Sequence, residues 1–135
     1  MNGADVKAYS RAKDGGVSVA PQFKVWVFAC HDGSDTVFVS EELADVLEKI
    51  RVHFGKPVIV SSGYRTESHN EKSGGAAYSQ HKYGLAADIT ISGVKPADIA
   101  AYAETLLPGR GGIGIYSRFC HVDVRRSPSR WKEKT

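Results

Sequence analysis

Residues 79–91 read Ser-Gln-His-Lys-Tyr-Gly-Leu-Ala-Ala-Asp-Ile-Thr-Ile, and the predicted architecture of the chain follows from them. His81 and Asp88 stand seven residues apart, with Gly84 between them. This separation is too long for one helical turn, but a chain that turns at the glycine can bring Asp88 back on a following strand. The stretch therefore predicts a turn at Gly84 that leads into a β-strand.

The strand after Gly84 carries one carboxylate in an otherwise apolar run. Side chains alternate along a strand, which puts Asp88 on the same face as Ala86 and Thr90. The opposite face is apolar and consists of Leu85, Ala87, Ile89 and Ile91. Because a buried carboxylate is costly unless it is paired or bound to metal, Asp88 is expected to have a specific partner.

A second alternating stretch, residues 119–125, reads Phe-Cys-His-Val-Asp-Val-Arg and supplies that partner. Its apolar set is predicted to face the core and its polar set the other way: Cys120, Val122 and Val124 against His121, Asp123 and Arg125. His81, Asp88 and His121 form a three-ligand set with a fourth position open, which is typical of catalytic zinc. Structural zinc sites use four ligands, usually with closely paired cysteines, and Cys30 and Cys120 are not so paired.

Composition is that of an ordinary single domain. The chain has 135 residues, 41% hydrophobic and 24% charged, with a net charge of +3. No apolar run approaches the roughly 18 residues of a membrane span, so no span is expected.

The residues after Met1 contain no apolar signal segment, and we expect the chain to be cytoplasmic before release or exported by another route. The two cysteines do not make a disulfide framework.

Two helices and several strands are predicted around these stretches. Ser40 is a predicted N-cap, and apolar residues follow at helical spacing up to Phe54, before Gly55 ends the helix. A second helix is predicted from Pro96 to Leu107. Short strands are expected over 7–10 and 37–39, a buried strand over 58–60, and a hairpin of 111–116 with 119–124. This order favours an α+β fold, with a mostly antiparallel sheet that carries the metal site and two main helices packed against it.

The motifs, taken in order, resemble those of the M15 peptidases. They are Ser62-Gly63-Tyr64-Arg65, Ser79-x-His81-x-x-Gly84-x-Ala86-x-Asp88, Gly111-Gly112-Ile113-Gly114-x-Tyr116, His121-Val122-Asp123 and Ser129-Arg130-Trp131. This family contains zinc D-Ala-D-Ala carboxypeptidases and related peptidoglycan endopeptidases, and the chain is most similar to the small branch found in phage endolysins and cell-wall peptidases. The resemblance implies an M15-like domain over 21–131, with 1–20 as an N-terminal extension or edge strand and 132–135 as a basic tail.

The resemblance also implies roles for individual residues. It makes His81, Asp88 and His121 the ligands of one zinc ion per chain. It makes Arg65 the cation that holds a substrate carboxylate or carbonyl. We expect the cleft to be lined in addition by Ser79, Gln80 and Tyr83.

One position departs from the family pattern. Many relatives carry an acidic residue, the general base, three positions before the last zinc histidine, and Arg118 occupies that position here. A guanidinium cannot deprotonate water. The nearest replacement is Asp123, which lies on the same strand face as His121. Asp123 is therefore predicted to be either the general base or a carboxylate that supports a ligand.

The resulting functional hypothesis is a zinc-dependent, monomeric peptidase that acts at the bacterial cell wall. It would hydrolyse an amide bond in peptidoglycan stem peptides or cross-links, of the D-Ala-D-Ala carboxypeptidase or endopeptidase type. The alternative is a catalytically weak or inactive cell-wall-binding module that retains the zinc site, which the departure at Arg118 makes conceivable.

A basic cluster near the C-terminus suggests a third class of function. It comprises Arg125, Arg126, Arg130, Lys132 and Lys134. Such a cluster indicates either affinity for anionic polymers or a solvated tail. It lacks interleaved stacking aromatics other than Trp131, so no nucleic-acid partner is expected.

Overall fold

The computed structural model describes residues 5–72 and 79–133. The helices are α1 Arg11–Asp14, α2 Glu41–Phe54, α3 Glu67–Lys72 and α4 Pro96–Leu106. The strands are β1 Val6–Ser10, β2 Ser18–Ala20, β3 Phe23–Lys24, β4 Thr36–Ser40, β5 Ile59–Ser62, β6 Ala86–Thr90, β7 Gly112–Ile115, β8 Cys120–Asp123 and β9 Ser129–Lys132. Two 3-10 turns span Val25–Phe28 and Gln80–Tyr83.

A five-stranded sheet in the described part of the chain carries the candidate site. Its strand order is β5-β6-β8-β7-β9, with antiparallel pairing except between β7 and β9. Asp88 pairs with His121 across β6 and β8, and Ser62 pairs with Asp88 across β5 and β6. Since residues directly opposite each other in a sheet project from the same face, these three side chains share one face. The predicted α+β class and the mostly antiparallel sheet are confirmed.

The hydrophobic core lies on the other face of this sheet. Helix α4 contacts β7 and β8, and α2 contacts α4, β2 and β4. The sheet contributes residues that are at most 3% exposed, namely Ala87, Ile89, Ile113, Cys120 and Val122. The alternation predicted for β6 and β8 is therefore confirmed, and it leaves the polar residues of both strands together on the opposite face.

Helix α2 has the boundaries that its sequence predicts. The Ser40 hydroxyl accepts a hydrogen bond from Leu43 N at 3.1 Å, which satisfies a free amide of the first turn. Gly55 ends the helix in the left-handed region at φ +65°. Leu43, Leu47 and Ile50 are at most 1% exposed, so the helix buries one apolar face.

The turn between the two halves of the 79–91 stretch requires glycine. Gly84 has φ +74°, and a β-carbon there would lie 2.5 Å from the Phe38 carbonyl oxygen. The Gly84 carbonyl also accepts a hydrogen bond from Ser40 N at 2.9 Å. The turn is thus closed against β4, which fixes where the chain carrying His81 meets β6.

The strand predicted as buried at 58–60 is an edge strand instead. Strand β5 begins at Ile59, whose side chain is 57% exposed, although Val58 is 9% exposed. The prediction was wrong because three consecutive apolar residues do not show whether another layer covers both faces of a strand. Strand β9 was not predicted, because its parallel pairing with β7 depends on residues distant in sequence.

Two of the five residues of the basic cluster form ion pairs within the described part of the chain. Arg125 pairs with Asp123, and Arg130 pairs with Glu104. Lys134 lies outside the described residues. These two arginines therefore contribute to the folded structure rather than to a solvated tail. Among the described residues, no helix is both long and apolar enough to cross a membrane.

Candidate metal centre

Three predicted ligands converge on one side of the sheet. His81 lies in the 3-10 turn, Asp88 on β6 and His121 on β8, and one ligand atom from each lies within 4.8 Å of the others. Their side chains are 3%, 5% and 7% exposed. The convergence follows from two local features: the turn at Gly84 returns His81 to the sheet, and the strand register sets Asp88 opposite His121.

The tautomer of His81 is set by a backbone carbonyl. Its Nδ1–H donates to Gly63 O at 2.7 Å, which leaves the Nε2 lone pair free in the neutral ring. That Nε2 lies 3.3 Å from Asp88 Oδ1. Gly63 belongs to the Ser-Gly-Tyr-Arg motif, but the role of its carbonyl could not be predicted, because a backbone acceptor has no side-chain signal.

His121 is held in the opposite tautomer by a carboxylate. Its Nε2–H donates to Asp123 Oδ2 at 2.7 Å, and its Nδ1 lies 3.0 Å from Asp88 Oδ1. In the neutral rings, the lone pairs of His81 Nε2, His121 Nδ1 and Asp88 Oδ1 therefore face one another. Because these groups repel unless a cation lies between them, two nitrogens and one oxygen here suit a divalent metal ion.

The pKa values also indicate that positive charge is favoured between these groups. Burial raises the pKa of Asp88, but the hydrogen bonds that His121 and His81 donate when their rings carry a second proton outweigh burial and hold that pKa below its usual range. Burial lowers the pKa of His121, but hydrogen bonds to Asp123 and Asp88 raise that pKa above its usual value. Both shifts have the same physical cause, which is the close approach of carboxylates and imidazoles in a buried site.

Asp123 is fully enclosed and hydrogen bonded on every side. It is 0% exposed, and its carboxylate accepts hydrogen bonds from Gly112 N at 2.9 Å and from Arg125 Nε and Nη2 at 2.8 and 2.7 Å, besides that from His121. Burial raises the pKa of Asp123, but the bonds from His121 and Arg125 outweigh burial and lower that pKa. A β-carbon at Gly112 would overlap the carboxylate, so this contact requires glycine.

Arg65 borders the ligand group through a fixed guanidinium. Its Nη2 donates to Asp88 Oδ2 at 3.4 Å, its Nε to Ser62 Oγ at 3.0 Å and its Nη1 to Asn70 Oδ1 at 3.3 Å. Asn70 is only 2% exposed, although it lies on the short helix α3. Sequence reasoning missed Asn70; its position five residues after Arg65 gives no periodic signal, because the chain bends between them.

The remaining predicted cleft residues flank His81. Ser79 caps the 3-10 turn, its hydroxyl accepting a hydrogen bond from His81 N at 3.3 Å. Gln80 follows as the first residue of the turn, and Tyr83, its last residue, is 46% exposed. Arg118 lies in the connection between β7 and β8.

Trp131, which belongs to one of the family motifs, lies beside the ligands, and this position was not predicted from the sequence. Its ring centroid lies 4.9 Å from that of His121, and its Nε1–H donates to the Tyr116 hydroxyl at 2.8 Å. A β-carbon at Gly114 would overlap the indole, so the glycine permits this approach. The available signal was the alternation of Ser129–Lys132, which places Trp131 on one side of a short strand.

Fold and site together define the class of a small α+β domain with a buried His-Asp-His group suited to a divalent metal. The family model described as Peptidase M15 matches residues 8–123, which is most of the chain. The chain therefore belongs to the M15 peptidase family, whose members are metal-dependent peptidases. No significant match was found among curated proteins.

Proposed function

We propose that this peptidase is zinc-dependent and hydrolyses an amide bond in peptidoglycan stem peptides or cross-links at the bacterial cell wall. The observation that carries the proposal is the convergence of His81, Asp88 and His121, with each imidazole proton directed away from the shared space. Two imidazoles and one carboxylate, with a further position open, are the donor set of catalytic zinc. One zinc ion per chain follows from one such group in the described residues.

The metal would supply Lewis acidity, polarising a carbonyl oxygen and lowering the pKa of a water to about 7. His81, His121 and Asp88 would hold the ion with a net charge of one positive unit. Gly63 and Asp123 would keep the two imidazoles in the required tautomers. Such outer hydrogen bonds orient ligands and tune metal affinity.

Arg65 is proposed to bind the substrate beside the ion. Three of its five N–H groups are used by Ser62, Asn70 and Asp88, so the guanidinium is rigid and retains two donors. A carboxylate or a carbonyl oxygen near the scissile bond would accept from these donors. Peptidoglycan stem peptides present both groups, which is consistent with a carboxypeptidase or an endopeptidase of D-Ala-D-Ala type. Ser79, Gln80 and Tyr83 are proposed to line the same cleft.

Asp123 is proposed to orient His121 rather than to act as the general base. A base must reach the proton that it removes, and a carboxylate that is 0% exposed and already accepts from three residues is poorly placed for that. This leaves the catalytically weak wall-binding module as a second candidate, since Arg118 occupies the usual acidic position.

The test is metal content together with hydrolysis of purified peptidoglycan, with released fragments identified by mass spectrometry. We expect about one zinc per chain and one defined cleaved bond. His81→Ala should lose both the metal and the activity, whereas the matched variant His53→Ala should keep both, because His53 stacks on Tyr102 outside the site. Zinc without cleavage of any wall type would favour the binding module, and a metal-free chain purified without chelator would contradict the proposal.

A further inference from the structure

A groove of about 480 Å³ lies beside the free edge of strand β5. One wall is the chain from Val58 to Val60, and the other is formed by the segment after the first 3-10 turn. The polar and aromatic residues that line it include Arg11, Trp26 and His31. None of these residues takes part in the candidate metal centre.

Trp26 is a rigid, exposed ring in this groove. It is 57% exposed, although burial of an indole is normally favourable. Its backbone N–H donates to Gly15 O at 3.1 Å, and a β-carbon at Gly15 would lie 3.3 Å from its Cε3 atom. The ring therefore rests on the backbone of a glycine turn, with its position fixed before any ligand arrives.

Cationic and polar groups surround this ring. Lys24 Nζ lies 5.5 Å from the Trp26 ring centroid. In residues 5–72 and 79–133, Arg11 forms no close ion pair, although its charge contributes to lowering the pKa of Asp35. Asp35, close in space to Arg11, is already engaged, since hydrogen bonds from Ala12 N and Ser10 Oγ lower its pKa. The groove thus offers a guanidinium without a close ion-pair partner among the described residues, next to an aromatic surface.

One residue of the groove lining, Ile59, lies on the face of the sheet that carries the metal ligands. Ile59 lies opposite Thr90, and Ser62 lies opposite Asp88. Thr90 and Asp88 project from the same face of β6, so the exposed Ile59 side chain lies on the side of the metal group. Three residues of β-strand, from Ile59 to Ser62, cover about 10 Å, a distance that roughly three residues of extended peptide would span.

We propose that this groove, the Trp26 groove, binds the glycan strand of peptidoglycan while the attached stem peptide lies at the metal centre; the inference rests on the proposed function. A pyranose ring has an apolar C–H face that can stack on the indole. The acetamido and hydroxyl oxygens of the sugars are acceptors for Arg11. A stem peptide is covalently joined to its sugar, so the spacing of about three residues lets one substrate reach both places.

The test compares two soluble substrates that differ only in the sugar: a stem peptide, and the same peptide attached to its N-acetylated disaccharide. Trp26→Ala should raise KM for the disaccharide substrate by about fivefold and leave KM for the free peptide unchanged, because one stacked ring is lost. Trp26→Phe should retain most of the affinity. Val52→Ala, at an exposed apolar site on α2, should change KM for neither substrate.

A binding measurement separates this inference from the proposed function. An N-acetylglucosamine tetrasaccharide is titrated into the chain and followed by NMR of the two indole N–H signals, with the Trp26 signal assigned from Trp26→Phe. The Trp26 signal should shift and the Trp131 signal should stay in place. An unshifted Trp26 signal, or an equal rise of KM for both substrates, would overturn the sugar assignment. A wild-type chain that cleaves neither substrate would contradict the proposed function, while the titration would still decide the groove.

Discussion

His121 is fixed from two sides, and this explains why a histidine at this position can serve a metal. Asp123 accepts a hydrogen bond from its Nε2–H, and the Nδ1 lone pair therefore points towards Asp88. Arg125 and Gly112 in turn hold Asp123. The sequence predicts the ligands from strand alternation, but the allocation of protons depends on which atoms meet after folding.

Asp123→Asn tests the orienting role. The substitution preserves shape but removes the charge that holds the His121 N–H, so zinc affinity should fall by about 10- to 100-fold. Zinc affinity is measured by competition with a chelator dye. Asp98→Asn, an exposed acid on α4, is the control and should leave the affinity unchanged. Unchanged zinc affinity with lost turnover would instead support the role of general base.

Asn70→Ala tests whether this buried amide positions Arg65. The lost hydrogen bond to a charged group should lower kcat/KM by about tenfold at unchanged zinc content. Asn70→Asp keeps an acceptor for Arg65 and should recover much of the rate, whereas Ser68→Ala, exposed on the same helix, should have no effect. Equal kcat/KM in wild type and Asn70→Ala would exclude the positioning role.

Among the secondary-structure elements, the β7–β8 hairpin carries His121 and the Asp123 carboxylate that orients it. Glycines at 112 and 114 leave space on β7 for Asp123 of the neighbouring strand and for Trp131 of β9. The hairpin is predictable, because alternation and the turn between the strands are local signals. The requirement for glycine at these two positions is not predictable, because the side chains that pack against them belong to other strands.

Gly112→Ala should displace the Asp123 carboxylate and destabilise the fold by about 1–3 kcal/mol, as overpacking does. Zinc affinity should fall as well, because His121 loses its support. Denaturant unfolding and zinc competition measure the two effects. Gly16→Ala is the matched control, since its β-carbon would meet nothing nearer than Trp26 Cζ3 at 3.9 Å. Wild-type stability in Gly112→Ala would show that the carboxylate can move without cost.

For the whole molecule, the metal should link separate parts of the chain. His81, Asp88 and His121 lie on a 3-10 turn and two different strands, so an ion bound to all three stabilises only the folded state. The unfolded chain does not hold these groups together. Metal should therefore raise global stability as well as support catalysis.

Removal of zinc should lower the free energy of unfolding by about 2.7 kcal/mol when free zinc exceeds its Kd by about 100-fold. The measurement is thermal or denaturant unfolding with and without chelator. Asp88→Ala should abolish the difference between the two conditions. Leu47→Ala, a core change, should instead cost about 2–5 kcal/mol in both conditions. A chelator effect of equal size in Asp88→Ala would place the metal elsewhere.

The sequence by itself determined the elements that rest on local periodicity and capping. These are helix α2 from Ser40 to Gly55, the turn at Gly84, and the polar faces of β6 and β8 that bring His81, Asp88 and His121 together. Each signal lies within one turn or one strand, where side-chain direction follows directly from spacing. The M15 family resemblance rested on the same motifs.

Only the tertiary structure decided the features that join distant segments. These are the edge position of β5, the parallel strand β9, and the hydrogen bonds that fix His81, Asp123 and Arg65. Exposure of a strand depends on which layers cover it, and a buried polar side chain finds its partner only when the whole core is packed. Residue spacing does not reveal these features, because strand exposure and the partners of buried polar side chains both depend on long-range packing.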